Sequence, residues 1–269
     1  MSEPSWVPAG VDPKRANIAR VYDYWLGGTH NFLADQDVAR AIAAVSPAAP
    51  LIGLANRAFL SRAVRFLAAV GIRQFLDVGS GIPTQGNVHE VAQQASPTAR
   101  VAYVDIDPVA VAHSKAILNG NDKAAIIAAD LREPKEILGH PETRRLIDFS
   151  QPTGLLLVAI LHFISDDEDP WHIVASLRDS LAPGSYLVLC HGTDDGRPER
   201  ARLVKEVYDR GVTSPLHVRS REQIMRFFDG FELVDPGLVF IPVWRPDSAA
   251  DVPADPREYG NLVGVARKP

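Results

Sequence analysis

The sequence FLDVGSGIPTQGN, from Phe75 to Asn87, carries the strongest indication of fold class and function. An apolar strand pattern ends there in Gly79-Ser80-Gly81, and a helical pattern begins near Gln85. Glycines permit a tight turn and a close approach of the backbone to a ligand, and the start of a helix attracts anionic groups. We therefore predict a strand, a cofactor-holding loop and a helix. A tight turn without a ligand would also produce G-x-G, which alone is a weak motif.

Short apolar runs alternate with helical patterns from Arg73 onward. This alternation is typical of βαβ units that build a parallel sheet buried on both faces, so the predicted fold class is α/β. The predicted strands are Gln74 to Val78, Arg100 to Asp105, Ala124 to Ala128, Leu155 to Leu161, Ser185 to Leu189, Phe231 to Phe240 and Asn261 to Ala266.

The residues before the first strand are predicted to form a helical cap, residues 1–70, within the same domain as a core of residues 71–269. Two helices are expected in the cap. One runs from Pro13 to Leu26 and ends at Gly27-Gly28, and the other runs from about Asn56 to Val70 with one apolar face. The Pro-rich stretch from Ser46 to Pro50 is predicted to be a linker between them.

The charge balance and the cysteine count exclude several classes of protein. The chain has 269 residues, with 33 acidic and 28 basic side chains and a net charge of −5 at pH 7, which argues against a nucleic-acid-binding protein. The single cysteine, Cys190, excludes an intrachain disulfide and a zinc site built from several cysteines. Because we find neither a signal-peptide pattern nor an apolar run near the ~20 residues that cross a bilayer, we expect a cytoplasmic protein outside the membrane.

Carboxylates follow the second and third predicted strands. Asp105 ends the second strand, in the crevice at the carboxyl ends of the sheet, where it can accept both ribose hydroxyls of a nucleoside. Asp107 either contacts ribose too or caps the helix that begins at Pro108, and we favour the cap. Asp130 follows the third strand, where it can accept from the exocyclic amine of adenine while Leu131 covers the ring. A surface-loop aspartate is the alternative for Asp130.

These segments resemble the successive motifs of class I S-adenosylmethionine-dependent methyltransferases. The matching motifs are D-V-G-S-G, Y-V-D-I-D-P, A-A-D-L and L-A-P-G-S-Y-L-V-L. R-V-Y-D-Y-W-L-G-G-T-H-N-F, from Arg20 to Phe32, and N-R-A-F-L, from Asn56 to Leu60, further resemble the small actinobacterial S-adenosyl methyltransferase-like proteins, formerly a domain of unknown function. The resemblance implies a Rossmann-like, seven-stranded methyltransferase sheet of order 3-2-1-4-5-7-6, with strand 7 antiparallel.

The resemblance also implies S-adenosylmethionine as the cofactor, bound at three places. The glycine loop would contact its methionine and ribose parts through Gly79, Ser80 and Gly81. The strand ends would hold ribose through Asp105, and would frame adenine with Ile106, Asp130 and Leu131. The N-terminal motif would cover the amino-acid end with Arg20, Tyr22, Gly28 and Asn31. Packing in the core is the alternative for Tyr22 and Trp25.

The loop departs from the family pattern after Gly81. Many methyltransferases have a third glycine where this loop has Ile82-Pro83-Thr84. Thr84 is predicted to hydrogen-bond the carboxylate of the cofactor in its place.

Two residues are predicted to take part in catalysis, His162 after the fourth strand and Asp23 in the N-terminal motif. Methyl transfer needs an in-line approach to an activated sulfonium, and it needs a base only where the acceptor loses a proton. Either residue could be that base or position the acceptor, whereas a histidine that bonds only the local backbone is the alternative for His162. No metal site is predicted, because the acidic run from Asp166 to Asp169 fits a solvated loop before a helix.

The predicted function is methyl transfer from S-adenosylmethionine to an unknown small-molecule acceptor. Two alternatives stay open. One is a non-catalytic sensor that binds S-adenosylmethionine, and the other is a nicotinamide-dependent oxidoreductase, which also combines a glycine-rich turn with a ribose-binding acid. The missing third glycine and the long segment before the first strand argue against the oxidoreductase. The oligomeric state is left without a prediction.

Overall fold

The computed structural model describes residues 7–8, 10–83, 86–212 and 214–269. In these ranges the strands are β1 (Gln74–Val78), β2 (Arg100–Asp105), β3 (Ala124–Ala128), β4 (Gly154–Val158), β5 (Tyr186–Gly192), β6 (Glu232–Leu233), β7 (Val239–Phe240) and β8 (Asn261–Arg267). They form one sheet of order β3-β2-β1-β4-β5-β8-β6, and β7 pairs with β8. β1 to β5 are parallel, and β8 is antiparallel to β5. Since β8 is the last predicted strand, the predicted fold class and strand order are confirmed.

One predicted strand, Phe231 to Phe240, is divided into β6 and β7. A turn separates the two, in which the Gly237 N–H donates to the Val234 carbonyl at 2.8 Å. Pro236 has no N–H to donate to a neighbouring strand, and Gly237 takes a φ of +84° that suits a turn. The seven predicted strands therefore become eight, while the order of the sheet is unchanged.

Ten α-helices lie in the described residues. They are α1 (Ile18–Trp25), α2 (Leu33–Val45), α3 (Ala49–Ala69), α4 (Val88–Ala95), α5 (Pro108–Ile117), α6 (Pro134–Gly139), α7 (Pro141–Leu146), α8 (Pro170–Asp179), α9 (Pro198–Gly211) and α10 (Arg221–Met225). Capping side chains fix several of their starts. Asn17 accepts from the N–H of Ala19 before α1, and Asp107 accepts from the N–H groups of Val109 and Ala110 in α5.

The cap contains three helices where the sequence predicts two. The helix α2 is missing from the prediction, and only Asp35, Ala39 and Ile42 of this helix are buried, so its apolar pattern is weak. The helix α3 begins at Ala49, seven residues earlier than predicted, and α1 begins at Ile18 instead of Pro13. Pro50 does not end α3, because a proline in the first helical turn removes no hydrogen bond within the helix.

Apolar side chains pack on both faces of the sheet. Phe75 of β1 belongs to a core cluster with Phe59 and Leu67 of α3. The next residue, Leu76, belongs to a second cluster with Leu177 of α8, as expected when successive side chains of a strand point to opposite faces. The helix α3 therefore forms part of the core, so the predicted boundary at residue 70 falls between two elements that share one cluster.

Neither a single membrane-spanning helix nor a metal-binding cluster occurs in the described ranges. No single helix there has both the length and the apolar character of a membrane span, and α2 with α3 meets those criteria only as a pair bent by 101°. No group of three or more histidine, cysteine or acidic side chains in the same ranges is placed to hold a metal ion.

Candidate functional site

A cavity of about 230 Å³ lies at the carboxyl ends of β1, β2, β4 and β5, and residues of the cap line its other side. The strands β1 and β4 are neighbours at the point where the strand order reverses, which is where open α/β sheets bind ligands. One part of the wall consists of the glycine loop, residues 79–81, and of polar side chains at the strand ends. The other part consists mainly of apolar side chains from α1, α2, α9 and the segment after β4.

The glycine loop is held against β2 and close to β4. The N–H groups of Gly79 and Ser80 both donate to the Val104 carbonyl, at 2.8 and 3.1 Å. Gly79 has a φ of +76°, and a Cβ atom there would lie 2.5 Å from Cγ1 of Ile160. A side chain at this position would thus be strained by its backbone and would clash. The loop needs glycine at residue 79 to approach whatever the cavity binds.

Asp105 lies beside this loop with its carboxylate organised by the backbone. Its Oδ2 accepts from the Gly81 N–H at 2.7 Å, and its Oδ1 accepts from the Asp107 N–H at 2.9 Å. Burial raises the pKa of Asp105 to about 6, and these two donors oppose the rise. Each oxygen keeps a further lone pair for a ligand hydroxyl. Asp107 caps α5 as favoured from the sequence, and it also lines the cavity.

Asp77, which the sequence analysis does not select, also lines the cavity. It is the acid of D-V-G-S-G, so its place in that motif was the available signal. Its carboxylate is buried, and no hydrogen-bond donor among the described residues reaches it. Burial raises the pKa of Asp77 to about 7, against the opposing charge of Arg57 and with a smaller rise from Asp105. A buried carboxylate without a partner is a natural site for a ligand cation.

We expect Asp77→Asn to raise the free energy of unfolding at about pH 8 by roughly 1–3 kcal/mol. The folded-state pKa of Asp77 is about 7 against an ordinary 3.8, so its ionisation opposes folding above that range. As the pH falls below about 7 the folded carboxyl takes up its proton, and the advantage of the variant shrinks toward about pH 4. Urea unfolding of both proteins at the two pH values measures the difference.

Asp122→Asn is the control for this experiment, because the side chain of Asp122 is 86% exposed. It should leave the unfolding midpoint unchanged at both pH values. A gain for Asp77→Asn that is equally large at low pH would contradict the burial of a charged carboxylate.

Further buried polar atoms of the cavity wall lack partners. Ser80 Oγ, Asn56 Oδ1 and Arg57 Nε are enclosed and form no hydrogen bond. The other end of the Asn56 amide donates to the Tyr22 hydroxyl at 2.9 Å, and that hydroxyl donates to the Gly53 carbonyl at 2.9 Å. Buried polar groups are almost always paired in folded proteins, so unpaired atoms around one cavity indicate a ligand.

Most of the N-terminal motif lies outside the cavity wall. Asp23 Oδ2 accepts from the His30 N–H at 2.9 Å and from the Asn31 amide at 2.8 Å, and Asn31 also donates to the Gly28 carbonyl. A Cβ atom at Gly28 would lie 2.0 Å from Oδ1 of Asp23. These contacts build the turn between α1 and α2. Of the motif residues predicted to touch the cofactor, only Tyr22 lines the cavity, and the carboxylate of Asp23 is used within the turn.

Arg20 does not line the cavity itself, but it pairs with Asp107, which does. Its Nε donates to Asp35 at 3.1 Å and its Nη1 pairs with Asp107 at 3.3 Å, with all three side chains buried. It therefore links the start of α2 to the start of α5, just after β2.

Of the three residues predicted to frame adenine, only one lies in the cavity wall. Ile106 lines the cavity and is 61% exposed, as an apolar platform for a ligand would be. Leu131 is buried in the core, and Asp130 pairs with Arg132 at 3.2 Å. Neither residue lines the cavity. Thr84 lies outside the described residues.

His162 lines the cavity in the short turn Leu161–Phe163 after β4. Its Nδ1 accepts from the Gly192 N–H at 3.2 Å, so the neutral ring carries its proton on Nε2. Burial lowers the pKa of His162 to about 3, and the nearby Arg219 and His217 add to this effect. The side chain is therefore a hydrogen-bond donor at neutral pH. This geometry favours a positioning role over that of a base.

A sequence profile described as S-adenosyl methyltransferase matches residues 4–269. This chain belongs to the S-adenosyl methyltransferase family. S-adenosylmethionine is therefore its cofactor. The comparison with curated proteins found no match.

Solved structures agree with the family. A candidate methyltransferase from Thermobifida fusca YX is 43% identical with a TM-score of 0.93, over 98% of this chain and 99% of that chain. A DUF574 family protein from Streptomyces avermitilis is 39% identical with a TM-score of 0.92, over 96% of this chain and 99% of that chain. The N-methyltransferase NodS from Bradyrhizobium japonicum, solved with S-adenosyl-L-homocysteine, is 15% identical with a TM-score of 0.51, over 87% of this chain and 97% of that chain. The last similarity concerns the fold alone.

Proposed function

We propose that this protein is an enzyme that transfers the methyl group of S-adenosylmethionine to a small molecule held in the apolar part of the cavity. The observation that carries the proposal is the division of one cavity into two parts. One part has unpaired buried polar atoms around the glycine loop, and the other is mainly apolar, with Arg197 and Arg200 lining it near the start of α9. A charged, ribose-containing cofactor suits the first part, and an acceptor suits the second.

The residues around the loop fit the cofactor by charge and by shape. Asp77 offers a buried carboxylate to the ammonium group, and Asp105 offers free lone pairs to the ribose hydroxyls. Asn56 Oδ1 and Ser80 Oγ supply unpaired polar atoms nearby, and Gly79 permits close approach of the backbone. Each group has a complementary partner in S-adenosylmethionine, which supplies an electrophilic methyl group when bound.

The chain itself orients the reactants and excludes water. Carboxylates and the glycine loop fix one end of the cavity, while Tyr22, held by Asn56 and Gly53, stands at the junction with the apolar part. His162 can donate from Nε2 to an acceptor without exchanging a proton. Such positioning is the main protein contribution to a displacement on an activated carbon.

The two alternatives make different predictions. A sensor would bind S-adenosylmethionine and turn over no acceptor, whereas an oxidoreductase would bind a nicotinamide cofactor. Family membership favours neither alternative, and the apolar part of the cavity favours an enzyme with a second substrate. The cytoplasmic location stays a prediction.

The test is titration calorimetry of the purified protein with S-adenosylmethionine, S-adenosylhomocysteine and NADH. We expect the first two to bind and NADH to give no signal. Gly79→Ala should weaken the binding of S-adenosylhomocysteine by about tenfold or more, since a side chain there adds backbone strain and a clash with Ile160. Gly71→Ala is the matched control, because Gly71 also has positive φ, at +99°, but lies in open space. Binding of NADH alone would overturn the proposal.

A further inference from the structure

We call the part of the cavity that apolar side chains line the apolar chamber. The cap contributes two of its walls, α9 contributes a third, and the segments after β4 and after α9 close it. Its main lining residues are Trp25, Ile42, Phe163, Val204, Tyr208 and Val218. The ring centroids of Phe163 and Tyr208 are 5.7 Å apart, so two aromatic rings lie together in its wall. Such a wall favours a flat, apolar molecule.

Two residues that carry hydrogen-bond donors, Tyr208 and His162, line the cavity at this chamber. The Tyr208 side chain is buried, and no described residue forms a hydrogen bond with its hydroxyl. Burial raises the pKa of Tyr208, which keeps the hydroxyl protonated and able to donate. The ring of His162 lies 4.5 Å from that of Phe163, and its Nε2 carries the other proton. A molecule in the chamber should therefore carry a hydrogen-bond-accepting oxygen.

Among the described lining residues, the proton-accepting carboxylates lie elsewhere. Asp77, Asp105 and Asp107 are at the glycine loop and the strand ends, and Asp107 is paired with Arg20. Glu258 lies beyond α9 and pairs with Arg200 at 2.5 Å and also with Arg197. His162 has its Nδ1 occupied by the Gly192 N–H. Among the described residues, the apolar chamber therefore offers no base of its own to a substrate that must lose a proton before it reacts.

We propose that the acceptor is an uncharged aromatic molecule that carries a carbonyl-type oxygen for Tyr208 and reacts through a pyridine-type ring nitrogen. This inference rests on the proposed methyl transfer. The ring nitrogen has a free lone pair at neutral pH and no proton to lose. A phenol would need a base, and an aliphatic ammonium would lose its hydration on entering the apolar chamber. The lone pair forms the N–C bond, the C–S bond leaves its electrons on sulfur, and the positive charge passes to nitrogen.

The first experiment measures binding to the protein saturated with S-adenosylhomocysteine. The probe is 4-benzoylpyridine, which combines a ketone with a pyridine nitrogen. Tyr208→Phe should weaken its binding about five- to tenfold, because one hydrogen bond is lost. Val204→Trp should abolish the binding by filling the chamber. Leu203→Trp, on the exposed side of the same helix, is the matched control and should bind the probe like the wild type.

The second experiment measures transfer of labelled methyl groups from S-adenosylmethionine. We expect label on 4-benzoylpyridine and, at about pH 7 where the phenol keeps its proton, none on its phenol analogue 4-hydroxybenzophenone. With S-adenosylmethionine saturating, the rate on 4-benzoylpyridine should stay flat between about pH 8 and 9, above the pKa of Asp77, since no other group is titrated in the step. Label on the phenol, label on neither probe, or a rate that rises with pH overturns the nitrogen assignment.

The binding titrations separate this inference from the proposed function. Suppose that S-adenosylhomocysteine binds but 4-benzoylpyridine does not, or that 4-benzoylpyridine binds Val204→Trp and Tyr208→Phe as tightly as it binds the wild type. The assignment of the apolar chamber is then wrong, and the methyltransferase proposal stands. If S-adenosylhomocysteine itself fails to bind, the proposed function is wrong and this inference falls with it.

Discussion

Replacement of Asp105 by asparagine is expected to weaken the binding of S-adenosylhomocysteine by about 2–3 kcal/mol, roughly 30- to 150-fold. The carboxylate accepts from the backbone at Gly81 and Asp107 and has lone pairs left for the ribose hydroxyls. An amide presents one donor in place of an acceptor. Because the N–H groups of Gly81 and Asp107 are fixed donors, one to each oxygen, the amide nitrogen must face one of them in either orientation. Titration calorimetry measures the loss.

Asp130→Asn is the matched control, because Asp130 follows the next strand of the same sheet and pairs with Arg132 outside the cavity wall. Its affinity for S-adenosylhomocysteine should remain within about threefold of the wild type. The reverse ranking, with a large loss at Asp130 and none at Asp105, would place the nucleoside further along the sheet. Circular dichroism of both variants checks that the fold is retained.

The first three strands could be predicted to the residue because each is a short, mainly apolar run with polar residues or glycine at its ends. Gln74 to Val78 is an example: its run passes directly into Gly79. The fourth strand shows the limit of this signal. It is predicted to reach Leu161 but ends at Val158, since Ala159 turns the chain at a φ of +61°. An apolar run indicates that a segment is buried, but its hydropathy does not distinguish a buried strand from a buried turn.

The cofactor side of the site was predictable, and the acceptor side was not. Asp105 and the glycine loop occupy fixed positions at strand ends, which the strand pattern supplies. The apolar chamber depends on α9, whose sequence is polar and of whose side chains only Tyr208 is buried. Such a helix resembles a solvent-exposed one. Its contribution depends on the contact with α2 and the cap, which brings together residues about 170 positions apart in sequence.

In the structure, Arg20 pairs with two buried carboxylates instead of lining the cavity. A second variant tests this structural role. Arg20→Met is expected to lower the free energy of unfolding by about 3–5 kcal/mol, because it leaves two buried carboxylates without their cation. Asp35 is fully buried and already accepts from the N–H groups of Asn17 and Phe32, and Asp107 caps α5. Urea unfolding followed by circular dichroism measures the loss.

Arg40→Met is the control for Arg20→Met, because it removes a cation from an ion pair on the surface of α2. Arg40 and its partner Asp37 are 50% and 64% exposed, so this change should cost less than about 1 kcal/mol. The two possible roles of Arg20 predict opposite results. If Arg20 contacts the cofactor, the Arg20→Met variant loses affinity for S-adenosylhomocysteine and keeps its unfolding midpoint. If Arg20 instead joins the cap to the start of α5, the Arg20→Met variant has a lower unfolding midpoint. Its affinity for S-adenosylhomocysteine at low temperature, where the fold persists, then changes far less. The buried pairs with Asp35 and Asp107 favour the second outcome.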